Sequence, residues 1–307
     1  MLREHSEFNT FESYHGIQAV IDRLNDLIRE GGYVFRGYNK QDELYPSLIR
    51  NEDFGNLEDN LLKDFEKYGS NYFHATSPID FMSYAQHVGL PTRLLDFTMN
   101  PFIALSFALY SPKSNTNYKN ADDRYYYYIR YAKLEENLCV PSIPLKDAIY
   151  NSRFAREDSL ANRACQCIDS VTDLFGQNSF NRSIMSLEGF SESLANLKID
   201  NGKIRNRVIL FIDPNQSNQR IIMQQGLFMF PYSLDKNEHL RILNNNSMCI
   251  MIHRDLRDEL NLYLDTLGYN TFRLMPDLSS ICQAVRRRNL DERKGKSSKN
   301  KRNSIDR

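Results

Sequence analysis

The sequence predicts one α+β domain, with helices packed around a small mixed or antiparallel sheet. Three observations carry that expectation. Amphipathic helical stretches are interleaved with short β-prone runs. The runs are separated by long and unequal connections. Regular strand–helix–strand alternation and a glycine-rich first turn, which would announce a doubly wound parallel sheet, are both missing.

Taken in order, Ile17, Val20, Ile21, Leu24, Leu27 and Ile28 recur at helical spacing, so residues 17–29 read as an amphipathic helix. Gly31 and Gly32 end it, and Tyr33, Val34 and Phe35 form a short buried strand that stops at Arg36-Gly37. Residues 45–48 are a turn-rich link. Residues 57–73 return to helix, with Leu57, Leu61, Leu62, Phe65 and Tyr68 on one face. Pro78 suits the first turn of a helix that runs to Val88 and ends at Gly89. Residues 91–97 are strand-like, and Pro101 opens an apolar helix over 102–110. Residues 111–123 form a polar loop, and the aromatic run 125–131 is β-prone. Residues 145–206 read as a helical insertion or lid. Strands follow at 208–212 and 247–253. Between them residues 220–230 pass from a short helix into a strand, and helices at 255–266 and 276–288 close the chain. The domain is thus expected over residues 1–285, with the insertion inside it.

The formal net charge of the 307 residues is zero but unevenly spread. Residues 286–307 carry ten Lys/Arg against three Asp/Glu and almost no large apolar side chain, so they read as a basic disordered tail. Its two readings are a solvated tail and a weak nucleic-acid or acidic-surface contact. No apolar run approaches the ~18 residues of a membrane span, and the polar start lacks the layout of a secretory signal. The expected location is the cytoplasm, with no membrane partner. Five cysteines are scattered, and only Cys165 and Cys167 lie close together. Without a second pair at metal-ligand spacing, no metal site is expected. The phosphate loop, the His-Glu-x-x-His helix and the Gly-x-Ser-x-Gly elbow are absent, which disfavours P-loop kinases, zincins and α/β-hydrolases.

Three segments depart from what a core requires. In the first, Arg36 follows a buried strand, where its charge must be solvated or paired. One reading is an Arg–carboxylate pair. The other is recognition of phosphate or carboxylate by the planar fork, with Gly37 allowing a close approach of backbone or ligand. In the second, residues 86–101 bring Gln86, His87, Thr92, Arg93, Asp96, Thr98 and Asn100 beside an apolar helix. Arg93 and Asp96 are candidates to pair with each other. His87 is a candidate acid–base group, though a histidine at a helix end is more often structural. In the third, Gln219, Arg220, Gln224 and Gln225 sit among apolar residues, either orienting a ligand or tying down backbone.

These three segments, in this order, resemble the FRG domain family. The resemblance rests on the aromatic-Arg-Gly motif at Phe35-Arg36-Gly37. It rests further on the long motif carrying Gln86, His87, Gly89, Pro91, Thr92, Arg93, Leu94, Leu95, Asp96, Phe97, Thr98, Asn100 and Pro101, and on Arg220, Gln224, Gly226 and Phe228. Val88 stands where an aromatic residue is common, and Met275 replaces a Phe in the late motif. The layout is similar to ADP-ribosyltransferases that begin with an aromatic-Arg-Gly strand. That similarity implies Arg36 on the phosphates of NAD as substrate and Thr98 at the nicotinamide pocket. A late carboxylate would face the oxocarbenium-like ribose. Gln224 and Gln225 occupy the place of that Glu, which makes Asp96 the candidate acid, with His87 and Gln225 beside it. The ligand-binding set is Arg36, Gly37, Gln86, Thr92, Arg93, Thr98, Arg220 and Gln224. The alternative is a sensor module that binds a nucleotide, another small phosphorylated ligand or a partner without turning it over.

Overall fold

The computed structural model describes residues 11–50, 54, 57–69, 71–72, 78–110, 122–141, 209–214, 219–231, 234–275, 281–282 and 285. The expected insertion at 145–206, the tail at 286–307, Cys165 and Cys167, most of the loop at 111–123 and most of the helix at 276–288 lie outside the described residues.

The strands are β1 (Phe11–Tyr14), β2 (Tyr33–Tyr38), β3 (Leu95–Thr98), β4 (Tyr126–Lys133), β5 (Leu138–Pro141), β6 (Leu210–Asp213), β7 (Gly226–Met229) and β8 (Met248–His253). They form one eight-stranded sheet in the order β1-β8-β4-β2-β3-β7-β6-β5. The β1–β8 and β5–β6 pairs are parallel and the others antiparallel. The fold is therefore α+β with a mixed sheet, as the sequence predicts, but the sheet is larger than expected. Its extra strands, β1 and β5, are four-residue edges with no clear hydrophobic alternation of their own. They are recruited by neighbours distant in sequence. β1 is held by Arg23, whose Nε and Nη2 donate to the Glu12 carboxylate at 2.8 and 3.0 Å, while the Tyr131 hydroxyl donates to the same carboxylate at 3.0 Å.

The helices are α1 (Ile17–Glu30), α2 (Ser47–Arg50), α3 (Glu58–Gly69), α4 (Pro78–His87), α5 (Pro101–Leu109), α6 (Gln219–Gln224), α7 (Lys236–Asn246), α8 (Arg257–Leu267) and α9 (Thr271–Leu274). Among the described residues no helix is long and apolar enough to cross a membrane. Alternation along β2 sends Phe35 to one face of the sheet, against apolar residues of α1, α5 and α8. Val34 and Tyr38 go to the other face, against Leu243 of α7 and the apolar side chains of β3, β6 and β7. Each fully buried large apolar side chain contributes roughly 1.5–3 kcal/mol. Two buried layers, one on each face, thus give the sheet its rigidity.

Helix α5 is apolar on nearly all sides and almost wholly buried. Its start is set by Asn100, whose side chain accepts from the backbone N–H of Phe102 and Ile103, followed by Pro101 in the first turn. The helix lies directly on β2. A Cβ added at Gly37 would stand 1.6 Å from the Ala104 carbonyl oxygen and 2.9 Å from the Ala108 nitrogen. Gly37 is thus required by the backbone of α5. β2 also continues through Arg36 and Gly37 to Tyr38, paired along its whole length with β4. Arg36 stands inside the strand, not at its end, because the missing side chain at Gly37 lets the helix sit over a strand that need not stop.

His239 of α7 is buried, with Nε2 3.0 Å from the Leu44 carbonyl oxygen. A carbonyl only accepts, so Nε2 carries the proton in the neutral ring. Burial, helped by the positive charges of Arg36 and Arg130, lowers the imidazole to about 4 from its ordinary 6.5.

Two outcomes are expected. Gly37→Ala destabilises the fold by about 3 kcal/mol or more in denaturant titration, because backbone, not a pliable side chain, must move. For His239 the unfolded chain binds a proton more readily than the folded one. Stability is therefore present above pH 6.5 and is lost as pH falls from about 6.5 to about 4. The loss amounts to about 3 kcal/mol. His239→Gln is expected to flatten that part of the stability–pH curve.

Candidate functional site

β3 stays paired with β7 over Leu95–Thr98, and β2 stays paired with β4. Between β2 and β3 the register holds at one position, Phe35 opposite Thr98. Beyond it the two strands part. The opening becomes a cavity of about 220 Å³, bordered also by residues of α4, α5 and α6. Its wall includes Phe35, Gly37 and Thr98 from one side-chain parity and Arg36 and Phe97 from the other. Both parities can reach one space only where a sheet has opened.

Arg36 spans the opening. Its Nη1 donates to the Asp96 carbonyl at 2.7 Å, and its Nε and Nη2 donate to the Glu43 carbonyl at 3.2 and 2.6 Å. The expected carboxylate pair is replaced by two backbone carbonyls. A guanidinium carries five N–H groups, so one on each terminal nitrogen remains. Burial lowers the guanidinium to about 10, and Arg50 nearby lowers it further, while Asp96 and Glu43 oppose this. It stays charged at neutral pH.

Asp96 follows on β3. Its side chain is exposed to the cleft, and its Oδ1 accepts from the Gln86 amide at 2.8 Å. Oδ2 carries no hydrogen bond among the described residues. The Thr92 hydroxyl donates to the other end of the same amide, which fixes which end of Gln86 faces Asp96. Thr92 is fully buried and is anchored by Ser47, whose Oγ accepts from the Thr92 N–H at 3.1 Å. The row Thr92–Gln86–Asp96 therefore runs from the core to the cavity and orients one carboxylate there. Asp96 is the one acidic side chain lining the cavity among the described residues.

His87 and Arg220 also line the cavity, together with the aromatic rings of Phe35, Phe97, Phe107 and Phe228. Thr98 reaches the wall, but its hydroxyl is committed: it donates to the Gln224 carbonyl at 2.7 Å and accepts from the Asn100 N–H at 3.1 Å. Gln224 lines the cavity while its amide nitrogen donates to the Leu274 carbonyl at 2.7 Å. Gln225 is exposed outside the lining, with a φ of 46° that a residue with a Cβ rarely adopts. Its carbonyl accepts from the Met99 N–H at 3.0 Å.

Arg93 does not join this group. It is buried, its Nε donates to Glu58 at 2.7 Å and its Nη2 to the other Glu58 oxygen, and its guanidinium lies 5.2 Å from the Phe230 ring. The pairing with Asp96 considered from the sequence is thus replaced by one with Glu58, thirty-five residues earlier. Nothing local marks Glu58 as that partner, since an acid in the first turn of a helix is ordinary. Gln86 as the link between Thr92 and Asp96 is likewise invisible from spacing. Among the described residues no group of three or more His, Cys, Asp and Glu side chains is placed to hold a metal ion.

Compared with known families, residues 31–117 fit the FRG domain model. The matched stretch holds Arg36, Gln86, His87 and Asp96, and ends before Arg220 and Gln224. Comparison with curated proteins and with solved structures gives no match.

Removing one partner of the buried Arg93–Glu58 pair leaves an uncompensated charge. Glu58→Ala is expected to cost about 3–5 kcal/mol in equilibrium unfolding. Replacing both residues with apolar side chains of similar volume is expected to cost much less.

Proposed function

We propose that the FRG domain at residues 31–117, with the α6–β7 segment, binds an NAD-type nucleotide in the cleft between β2 and β3 and cleaves its N-glycosidic bond. The observation that carries this reading is Asp96: a cavity-facing carboxylate, held by Gln86, with one oxygen left for a ligand. Cleavage breaks the bond between ribose C1′ and the nicotinamide nitrogen. The electron pair leaves with nicotinamide, and C1′ gains oxocarbenium character until a nucleophile, water in the simplest case, adds to it. A fixed carboxylate in a partly dry cleft stabilises that developing positive charge. The four phenylalanines suit a planar ring, and the remaining N–H groups of Arg36 suit an anionic oxygen. In this reading His87 and Arg220 flank the ligand. Gly37, Thr92, Arg93 and Thr98 hold the walls, and Gln225 acts only as a turn.

A second reading, binding without turnover, is favoured by one fact: Arg36 spends three of its five N–H groups on backbone carbonyls. The cleft would then report ligand occupancy through the β2–β3 opening.

The test is nicotinamide release from NAD by the purified protein, alongside its melting temperature. The first reading expects release that falls on the order of 100-fold in Asp96→Asn, with the NAD-induced rise in melting temperature retained. A rise without release supports the second reading. Neither release nor a rise overturns both.

A further inference from the structure

The cleft does not end at the aromatic cavity. A second cavity, of about 200 Å³, shares Arg36, Gln86 and Asp96 with it and extends past Ser47, Arg50 and Leu94. Each alone is below the roughly 300–1,000 Å³ of ordinary ligand sites, and together they fall within that range. Their characters differ. The first is walled by four phenylalanine rings and also carries Arg220, whereas the second has no aromatic lining residue and its charged side chains are Arg36, Arg50 and Asp96.

Arg50 is exposed and donates from Nη2 to the Tyr45 carbonyl at 3.0 Å, a bond that holds the side chain and leaves four N–H groups. The Ser47 hydroxyl is spent on the Thr92 backbone, and the backbone N–H groups of Gly89 and Leu90 are spent on Gln86 and Ala85. Besides the second N–H of the Gln86 amide, the unspent side-chain donors in this lobe are those of the two guanidinium groups. Asp96 offsets one of the two guanidinium charges, which leaves one positive charge on this lobe, and planar guanidinium forks bind the oxygens of a phosphate well.

We propose that this second lobe is the phosphate subsite of the cleft, with Arg50 as its specific binding residue and Arg36 shared between the lobes. The inference rests on the nucleotide reading above and assigns a direction to the ligand. The ring enters the aromatic lobe, the sugar crosses at Asp96, and the phosphate arm points toward Arg50.

The experiment is calorimetric titration of the full chain with inorganic pyrophosphate, with NAD and with nicotinamide riboside, which lacks the diphosphate. Wild type is compared with Arg50→Ala and Arg50→Lys. The expected result is a loss of about tenfold or more for pyrophosphate and NAD in Arg50→Ala, the scale of one charge-assisted hydrogen bond. Nicotinamide riboside binding is expected to be unchanged, and Arg50→Lys to recover part of the loss. Equal pyrophosphate binding by wild type and Arg50→Ala, or none by wild type, overturns the subsite. Pyrophosphate binding that depends on Arg50, in a protein that does not bind NAD, overturns the nucleotide reading and leaves the anion subsite standing.

Discussion

Arg36 donating across the gap between β2 and β3 to the carbonyl of Asp96 is the interaction on which the site depends. A strand that parts from its neighbour exposes carbonyls that a ladder would have used, and such groups are costly to leave unpaired. Arg36 supplies the missing donor to Asp96 and, from Nε and Nη2, clamps the turn that carries Glu43. The gap can therefore exist without a buried orphan at its edge. The other side of β2 supports this: six residues paired with β4 and a helix resting on Gly37 hold the strand while β3 keeps its full pairing with β7.

Positive charge is handled in different ways in the described core. Arg93 is neutralised by a carboxylate and stacks near a ring, so it closes a structural joint between α3 and the end of β7. Arg130 is buried on β4 and donates to neutral oxygens, Ser247 Oγ at 3.3 Å and Asn244 Oδ1 at 3.0 Å. Arg36 lies between these cases: it is bound to carbonyls and still has donors facing a cavity. That intermediate state separates a group able to meet a ligand from one that only holds the fold. His239, kept neutral nearby, avoids adding a third charge beside Arg36 and Arg130 at neutral pH.

Much of the fold was legible from local pattern. Helical spacing located α1, Pro101 with the apolar run after it located α5, and the aromatic run located β4, because each signal lies within a dozen residues. β1 and β5 were not legible, since their pairing partners are supplied from elsewhere in the chain. α7, with its polar surface and few apolar positions, was not read either. At the site, the sequence singled out Arg36, Gln86, His87 and Asp96, and all four line the cavity. It also singled out Arg93, which does not. Arg93 and Asp96 are three residues apart along a nearly extended segment, so their side chains leave on opposite sides. Only the arrival of Glu58 reveals what Arg93 is for.

The α+β class, the three polar segments and Arg36 as the charge that needs an explanation can all be read from the amino-acid order. Local spacing and local chemistry suffice for those. Tertiary structure alone decided that Arg36 lies within its strand, that Gly37 answers to α5, and that Gln86 rather than Arg93 holds Asp96. It also decided that the cleft continues to Arg50. The reason is that each of these depends on where β2 and β3 separate. That separation is a balance among pairings with β4 and β7 and the packing of α5, contacts between residues far apart in the chain, which no short stretch of sequence encodes.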